Sequence, residues 1–137
     1  MPRTLFADTF YWLALIDPRD DWHTRARAAS RRHADSRLLT TDEVLVEVLN
    51  ALSGRRPTVR QAAATNVERI LSSQQVDVVP QTRDSLLAGL AFYRSRPDKG
   101  YSLTDCVSML TMRAHGVAEV LTHDHHFEQE GFVLLLR

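Results

Sequence analysis

The chain has 137 residues, 44% of them apolar and 25% charged, which is enough for one domain with an apolar core and the balance of a globular protein. Its longest apolar run, Phe10–Ile16, is far too short to span a bilayer, and Asp8 interrupts what would be a leader's hydrophobic segment, so a cytoplasmic protein without a membrane anchor is expected. Seventeen basic residues, sixteen of them Arg, offset seventeen acidic ones; the lone Cys106 excludes an internal disulfide and cannot by itself build a zinc site.

Apolar pattern and turn signals alternate as in an α/β domain, a single one over residues 1–137, with no repeat or long linker. Thr4–Ala7 reads as a strand that leads through Asp8-Thr9 into a helix over Phe10–Ile16, stopped by Asp17-Pro18. Asp20 and Asp21 open a basic helix running to about His33. Leu38–Thr40 is a brief strand, followed by a helix with Val44, Leu45, Val48, Leu49 and Leu52 at helical spacing, ended at Gly54. Pro57 starts a helix to about Ser72. Val76–Val79 is a strand closed by Pro80, Arg83–Tyr93 a helix, and Arg96–Gly100 a loop. Ser102–His115 is a helix with Gly116 just past its end, Glu119–Thr122 a strand, His125–Phe127 a short turn, and Phe132–Leu136 a closing strand. The order predicts a three-layer α/β/α sandwich: a central parallel sheet of about five strands with helices on both faces.

In such sheets ligands bind beyond the carboxyl ends of the strands, where the strand order reverses. Asp8 ends the first strand, Asp124 lies just past the fourth, Asp105 is in the first turn of the helix feeding the fourth, and Glu47 is in the second turn of the helix after the second. Four carboxylates brought together would repel unless protonated or bound to cations. Mg²⁺ and Mn²⁺ prefer oxygen ligands and keep exchangeable water. Two such ions about 3.5–4 Å apart can activate water and clamp a phosphodiester. The arginine excess permits contact with a phosphate backbone, although a GC-rich genome would produce the same bias.

The blocks Phe6-Ala7-Asp8-Thr9, Thr40-Thr41-Asp42-Glu43-Val44-Leu45-Val46-Glu47, Ser102-Leu103-Thr104-Asp105 and Leu121-Thr122-His123-Asp124-His125-His126-Phe127, closed by Gly131-Phe132, resemble the successive motifs of PIN domains. Length and N-terminal start are similar to VapC-type toxins of bacterial toxin–antitoxin pairs. The resemblance implies a PIN-like fold and a Mg²⁺-dependent endoribonuclease, with Mn²⁺ as a substitute. It also implies a homodimer and inhibition by a small VapB-type antitoxin. Carried over residue by residue, Asp8, Glu47, Asp105 and Asp124 are the catalytic, metal-holding acids. Thr9, Thr104 and Thr122 match positions where a hydroxyl stands near the metal or its ligands.

Each residue has a plainer reading. Asp8 could cap a helix, and Ser102-Leu103-Thr104-Asp105 is also a capping box. Glu43 and Glu47 share a helix face; Glu43, three residues after Thr40, suits a cap or a solvated acid, whereas Glu47 sits among valines and has no such role. The tract His123–His126 could hold a transition metal, but neighbouring residues rarely face one ion. Cys106 reads as a buried thiol, and Tyr11, Trp12, Trp22 and Phe92 as core or dimer contacts rather than base-stacking platforms. Arg25, Arg27, Arg31, Arg32 and His33 form a solvated face or an RNA track. A rival function is a catalytically degenerate PIN-like scaffold that only binds; such a domain would have lost one of the four acids. A phosphate-accepting receiver domain would need a late lysine near the site, and Lys99 stands alone in a loop.

Overall fold

Leu5, Phe6 and Ala7 expose no surface, as expected of a parallel strand covered on both faces. They belong to β1 (Thr4–Ala7) in a computed structural model that describes residues 2–137. There follow α1 (Thr9–Ile16), α2 (His23–Arg32), β2 (Arg37–Thr41), α3 (Asp42–Leu52), α4 (Pro57–Ser72) and β3 (Val76–Val79). The chain continues through α5 (Arg83–Ser95), α6 (Leu103–Ala114), β4 (Glu119–Leu121), α7 (His125–Gln129) and β5 (Val133–Leu134). The five strands among the described residues are all parallel, in the order β3-β2-β1-β4-β5, with helices on both faces. This is the three-layer α/β/α architecture expected from the alternation of elements. Among the described residues no helix is long and apolar enough to cross a membrane.

Several boundaries differ from the sequence expectation, each for a local reason. The basic helix begins at His23 because the Asp20 carboxylate accepts the Trp22 amide and forms a turn first. Helix α3 is capped by Thr41, whose hydroxyl accepts the Val44 amide, and not by Thr40. Thr40 is fully buried and donates to the Ala7 carbonyl at 2.9 Å, so its side chain braces β2 against β1. The turn at His125 closes as a short helix whose N-cap is Asp124.

Helix α6 is deeply buried, and its termini are specified by chemistry already legible in its residues. Ser102 and Asp105 complete the capping box at one end. At the other end the Gly116 and Val117 amides return to the carbonyls of Arg113 and Met112, with Gly116 at φ 66°. Close packing against α5 requires Gly89: a Cβ there would lie 2.6 Å from a Val107 methyl.

One ion cluster ties α7 to α5 and α6. Glu130, only 7% exposed at its side chain, accepts from Arg96 Nε at 3.0 Å, from Arg113 at 3.0 Å and from the Tyr101 hydroxyl at 2.8 Å. Both guanidiniums also lie over the Phe92 ring. The Arg96 hydrogen bond, with those of Tyr101 and Arg113, holds the Glu130 carboxyl down to about 2 from an ordinary 4.5. Burial and the bond to Glu130 push the Tyr101 phenol up to about 12.

The fold therefore binds the ionised form of Glu130, so its stabilisation is complete above the ordinary carboxylate range and fades as pH falls from 4.5 toward 2. Glu130→Gln is expected to lower the melting temperature by roughly 5–10 °C near neutrality, because it strands two guanidiniums around a neutral amide. Melting curves of both proteins across this range check it: the gap should close as the solution is acidified.

Candidate metal centre

The sheet places β1 beside β4 while the chain continues to β2 on one side and β5 on the other. The crevice at the carboxyl ends of β1 and β4 is thus the point where strand order reverses. Asp8 follows β1 directly and is 4% exposed. By position it is the N-cap of α1, yet its side chain makes no capping hydrogen bond. Its Oδ2 instead accepts the hydroxyl of Thr122, 2.9 Å away. Thr122 is fully buried just past β4, and the same hydroxyl oxygen accepts the Asp124 amide at 3.1 Å. One threonine thereby joins the acids after β1 and β4.

Asp105 is 8% exposed, and its Oδ2 accepts the Ser102 amide at 3.0 Å. The capping reading and the cleft-facing reading of Asp105 hold together. The same Oδ2 lies 3.3 Å from His126 Nδ1, which is 3.4 Å from Asp124 Oδ1. Donor atoms of Asp105, Asp124 and His126 all lie within 4.8 Å of one another. Asp124 itself is one-third exposed and caps α7 through the His126 amide.

His126 is the residue that sequence reasoning passed over. The tract does split as neighbours on a turn must: His123 Nδ1 meets the Leu136 carbonyl, and His125 Nδ1 meets Glu128. Only His126 turns into the crevice. Its spacing of two from Asp124, at the first turn of a helix that Asp124 caps, was the available signal.

The remaining expected residues occupy the surrounding rim. Glu47 is half-buried on α3 and lines a groove of about 210 Å³ with Glu43, Val46, Asn50, Gln81 and Thr104. Thr104 immediately precedes Asp105, so this groove opens beside the carboxylate cluster, although neither Glu47 nor Asp8 is within the tight group of donor atoms. Glu43 accepts the Ser85 hydroxyl at 3.4 Å, tying α3 to α5. Thr9 is buried, and its hydroxyl has no hydrogen-bond partner among the described residues. Cys106 is fully buried, and burial pushes its thiol up, away from the reactive thiolate. Tyr11, Trp12 and Phe92 are core residues, as expected, whereas Trp22 is only half-buried.

Burial pushes the Asp8 carboxyl up from 3.8 to about 7, with the charges of Asp105 and Asp124 adding to the rise and Thr122 opposing it. Burial likewise raises Asp105, opposed first by the Ser102 amide. Acids that resist ionisation side by side are what a divalent cation relieves, and the carboxylate oxygens of Asp8, Asp105 and Asp124 suit Mg²⁺ or Mn²⁺. The donor set therefore fits such an ion.

A family model described as the PIN domain matches residues 5–132. The chain is 30% identical over 134 residues to the 23S rRNA-specific endonuclease VapC20 of Mycobacterium tuberculosis, covering 94% of this chain and 95% of that protein. The crystal structure of VapC20, described as a sarcin-ricin loop cleaving toxin, superposes with a TM-score of 0.81 at 28% identity, covering 94% of this chain and 96% of that one. VapBC2 of Rickettsia felis, crystallised with a promoter DNA fragment, shares the fold at a TM-score of 0.64, 11% identity and 96% coverage of both chains. FitAcB of Neisseria gonorrhoeae does so at 0.63, 13% identity and 95% coverage of both.

The raised carboxyl of Asp8 has a sign that can be measured. The metal-free fold prefers the neutral acid, so the cost of its charge is absent below pH 3.8, grows as pH rises, and is complete above about 7. Asp8→Asn should accordingly melt several degrees above wild type in chelator near pH 8, with the gain gone near pH 4. Adding Mn²⁺ should raise the wild type more than the variant, since binding to the folded state alone adds about 2.7 kcal/mol at a hundredfold excess over Kd. Equal gains from Mn²⁺ in both proteins would contradict the assignment of Asp8 to a cation.

Proposed function

The chain belongs to the PIN domain family, and from that premise we propose that it is a metal-dependent endoribonuclease, the toxin of a toxin–antitoxin pair acting in the cytoplasm. The observation that carries this reading is the convergence of buried Asp8 with Asp105 and Asp124 at the reversal of strand order. Kinship over 94% of the chain with a 23S rRNA-specific endonuclease supports RNA as the substrate.

Asp8, Asp105 and Asp124 would hold Mg²⁺, with Mn²⁺ as a substitute, and Glu47 completes the set from α3. Once bound, the ion supplies a water nucleophile at neutral pH and positive charge for the phosphodiester. The protein's own part is orientation. Thr122 fixes the Asp8 carboxylate through Oδ2, and the Ser102 cap fixes Asp105 through its Oδ2. In the metal-free protein His126 lies between Asp105 and Asp124 and bridges the two acids, a place it would yield to the ion. The partnerless Thr9 hydroxyl and Thr104 stand ready as hydrogen-bond donors near these acids.

The partner protein we assign is a small VapB-type antitoxin. Adjoining hollows sharing Ser30 run between α2 and α4, with an apolar floor including Tyr11, Leu15 and Val76 and a basic rim including Arg27, Arg31 and Arg69. That composition suits an acidic amphipathic segment. A homodimer is supported by the exposed Val46 and Leu49 of α3 and Leu87, Leu90 and Tyr93 of α5.

Cleavage of ribosomal RNA by the purified chain is expected to require Mg²⁺ or Mn²⁺ and to stop with EDTA. Loss of residues that merely orient metal ligands costs about 10–100-fold, so Glu47→Gln should cost more than about a hundredfold, whereas Glu43→Gln should keep most activity. Timed cleavage assays of the two variants decide it. Undiminished cutting in chelator would sink the metal mechanism, and metal binding without any cutting would favour the binding scaffold.

A further inference from the structure

Beside Asp124, on the outer side of the crevice, four rings from three parts of the chain come together. The Trp22 indole lies 4.2 Å centroid to centroid from His123 at 33°, and Phe10 meets it edge-on at 5.4 Å. The Arg25 guanidinium sits over the same indole at 4.4 Å. Trp22 therefore joins Arg25 and His123 in one contiguous group, the Arg25–Trp22–His123 column. His123 and His125 flank Asp124 in sequence, and their rings meet edge to face at 5.0 Å. The column therefore adjoins the turn that carries Asp124, with exposed Arg25 at its other end. Arg25, Arg27, Arg31 and Arg32 are all exposed and form no ion pair with the described acids. Elsewhere Arg3, Arg37, Arg55, Arg96 and Arg113 are paired with acids, while Arg19, Arg56, Arg60, Arg69, Arg83, Arg94 and Arg137 are in no ion pair among the described residues.

We propose that the Arg25–Trp22–His123 column is a stacking subsite for single-stranded RNA, holding a nucleobase next to the phosphodiester at the carboxylate cluster; this rests on the ribonuclease reading above. A half-buried indole with a guanidinium held over it offers flat and cationic surface together to an unstacked base, and the charge meets the adjoining phosphate. Such stacking tolerates any base, because every base has a π-face. The remaining unpaired arginines of α2 lengthen the cationic track away from the crevice. Unstacked bases belong to loops and single strands, so the subsite selects those over uninterrupted duplex.

The test uses the full chain in EDTA with a fluorescein-labelled single-stranded RNA of about 12 nucleotides, long enough to extend from the crevice along α2. Trp22→Ala should weaken binding about tenfold and Trp22→Phe much less, since phenyl still stacks. Arg25→Lys, at an exposed position that cannot unfold the chain, keeps the charge but loses the plane and should also weaken binding several-fold. RNA should quench intrinsic fluorescence in the wild type but not in Trp22→Phe, where only buried Trp12 remains. In Mn²⁺-supported cleavage, Trp22→Ala should raise KM while leaving kcat and Mn²⁺ affinity near wild type. Unchanged affinity in Trp22→Ala and Arg25→Lys, with wild type binding and cutting RNA, would overturn the subsite alone. So would lowered kcat and Mn²⁺ affinity without loss of RNA binding, which is what a mere brace for Asp124 would give. A wild type that neither binds nor cuts RNA would overturn the ribonuclease reading itself.

Discussion

A carboxylate buried at the end of the central strand is the constraint to which the rest of this molecule answers. Asp8 follows three residues with no exposed surface and is itself 4% exposed, with no basic side chain bonded to it. Burying such a group costs free energy unless it is hydrogen-bonded and its charge is matched. Thr122 provides one hydrogen bond and adds no charge. Across the crevice, Asp105 and Asp124 make the electrostatics worse. The fold thus concentrates an unfavourable term at one place, and the surrounding core of Phe6, Leu39, Met109 and Leu121 sustains it.

That arrangement divides the protein into parts that hold and parts that are held. The capping box of α6 aims Asp105, and the close contact at Gly89 seats α6 against α5. Asp124 and His126 sit on a helix of five residues, too short to be stable alone. Its anchor is Glu130, at the far end of that helix, bonded to Arg96, Arg113 and Tyr101. The Tyr101 ring also lies edge-on to His126 at 5.3 Å. A salt-bridge cluster away from the crevice therefore secures the turn that carries Asp124 and His126. The two acids are displaced in opposite directions, Glu130 downward and Asp8 upward, because one has its counterions and the other lacks one.

Much of this was legible in the residues. Continuous apolar runs announce buried parallel strands, Pro57 opens α4, and Gly116 closes α6 in the left-handed region. The reversal of strand order points to the ends of β1 and β4 before any side chain is placed. Other features depend on contacts that no local pattern encodes. Period alone did not separate Thr40 from Thr41 as a cap, because that choice follows from the Thr40 hydroxyl bonding across strands to Ala7. His126 was hidden in a tract with three other polar residues, since only the direction of the α7 turn brings it between Asp105 and Asp124. Glu43 and Glu47 share one groove, so a helical wheel treats them alike. Trp22 packs against the core and is only half-buried, a degree of exposure that residue type alone does not tell.

The claim on which this account stands is that the strained acids are a cation site. The direct measurement is the anomalous scattering of crystals grown with Mn²⁺. The account predicts a strong peak bordered by Asp8, Asp105 and Asp124, with His126 turned from its present position between the latter two. Crystals saturated with Mn²⁺ that show no peak in the crevice, with His126 still between Asp105 and Asp124, would contradict it.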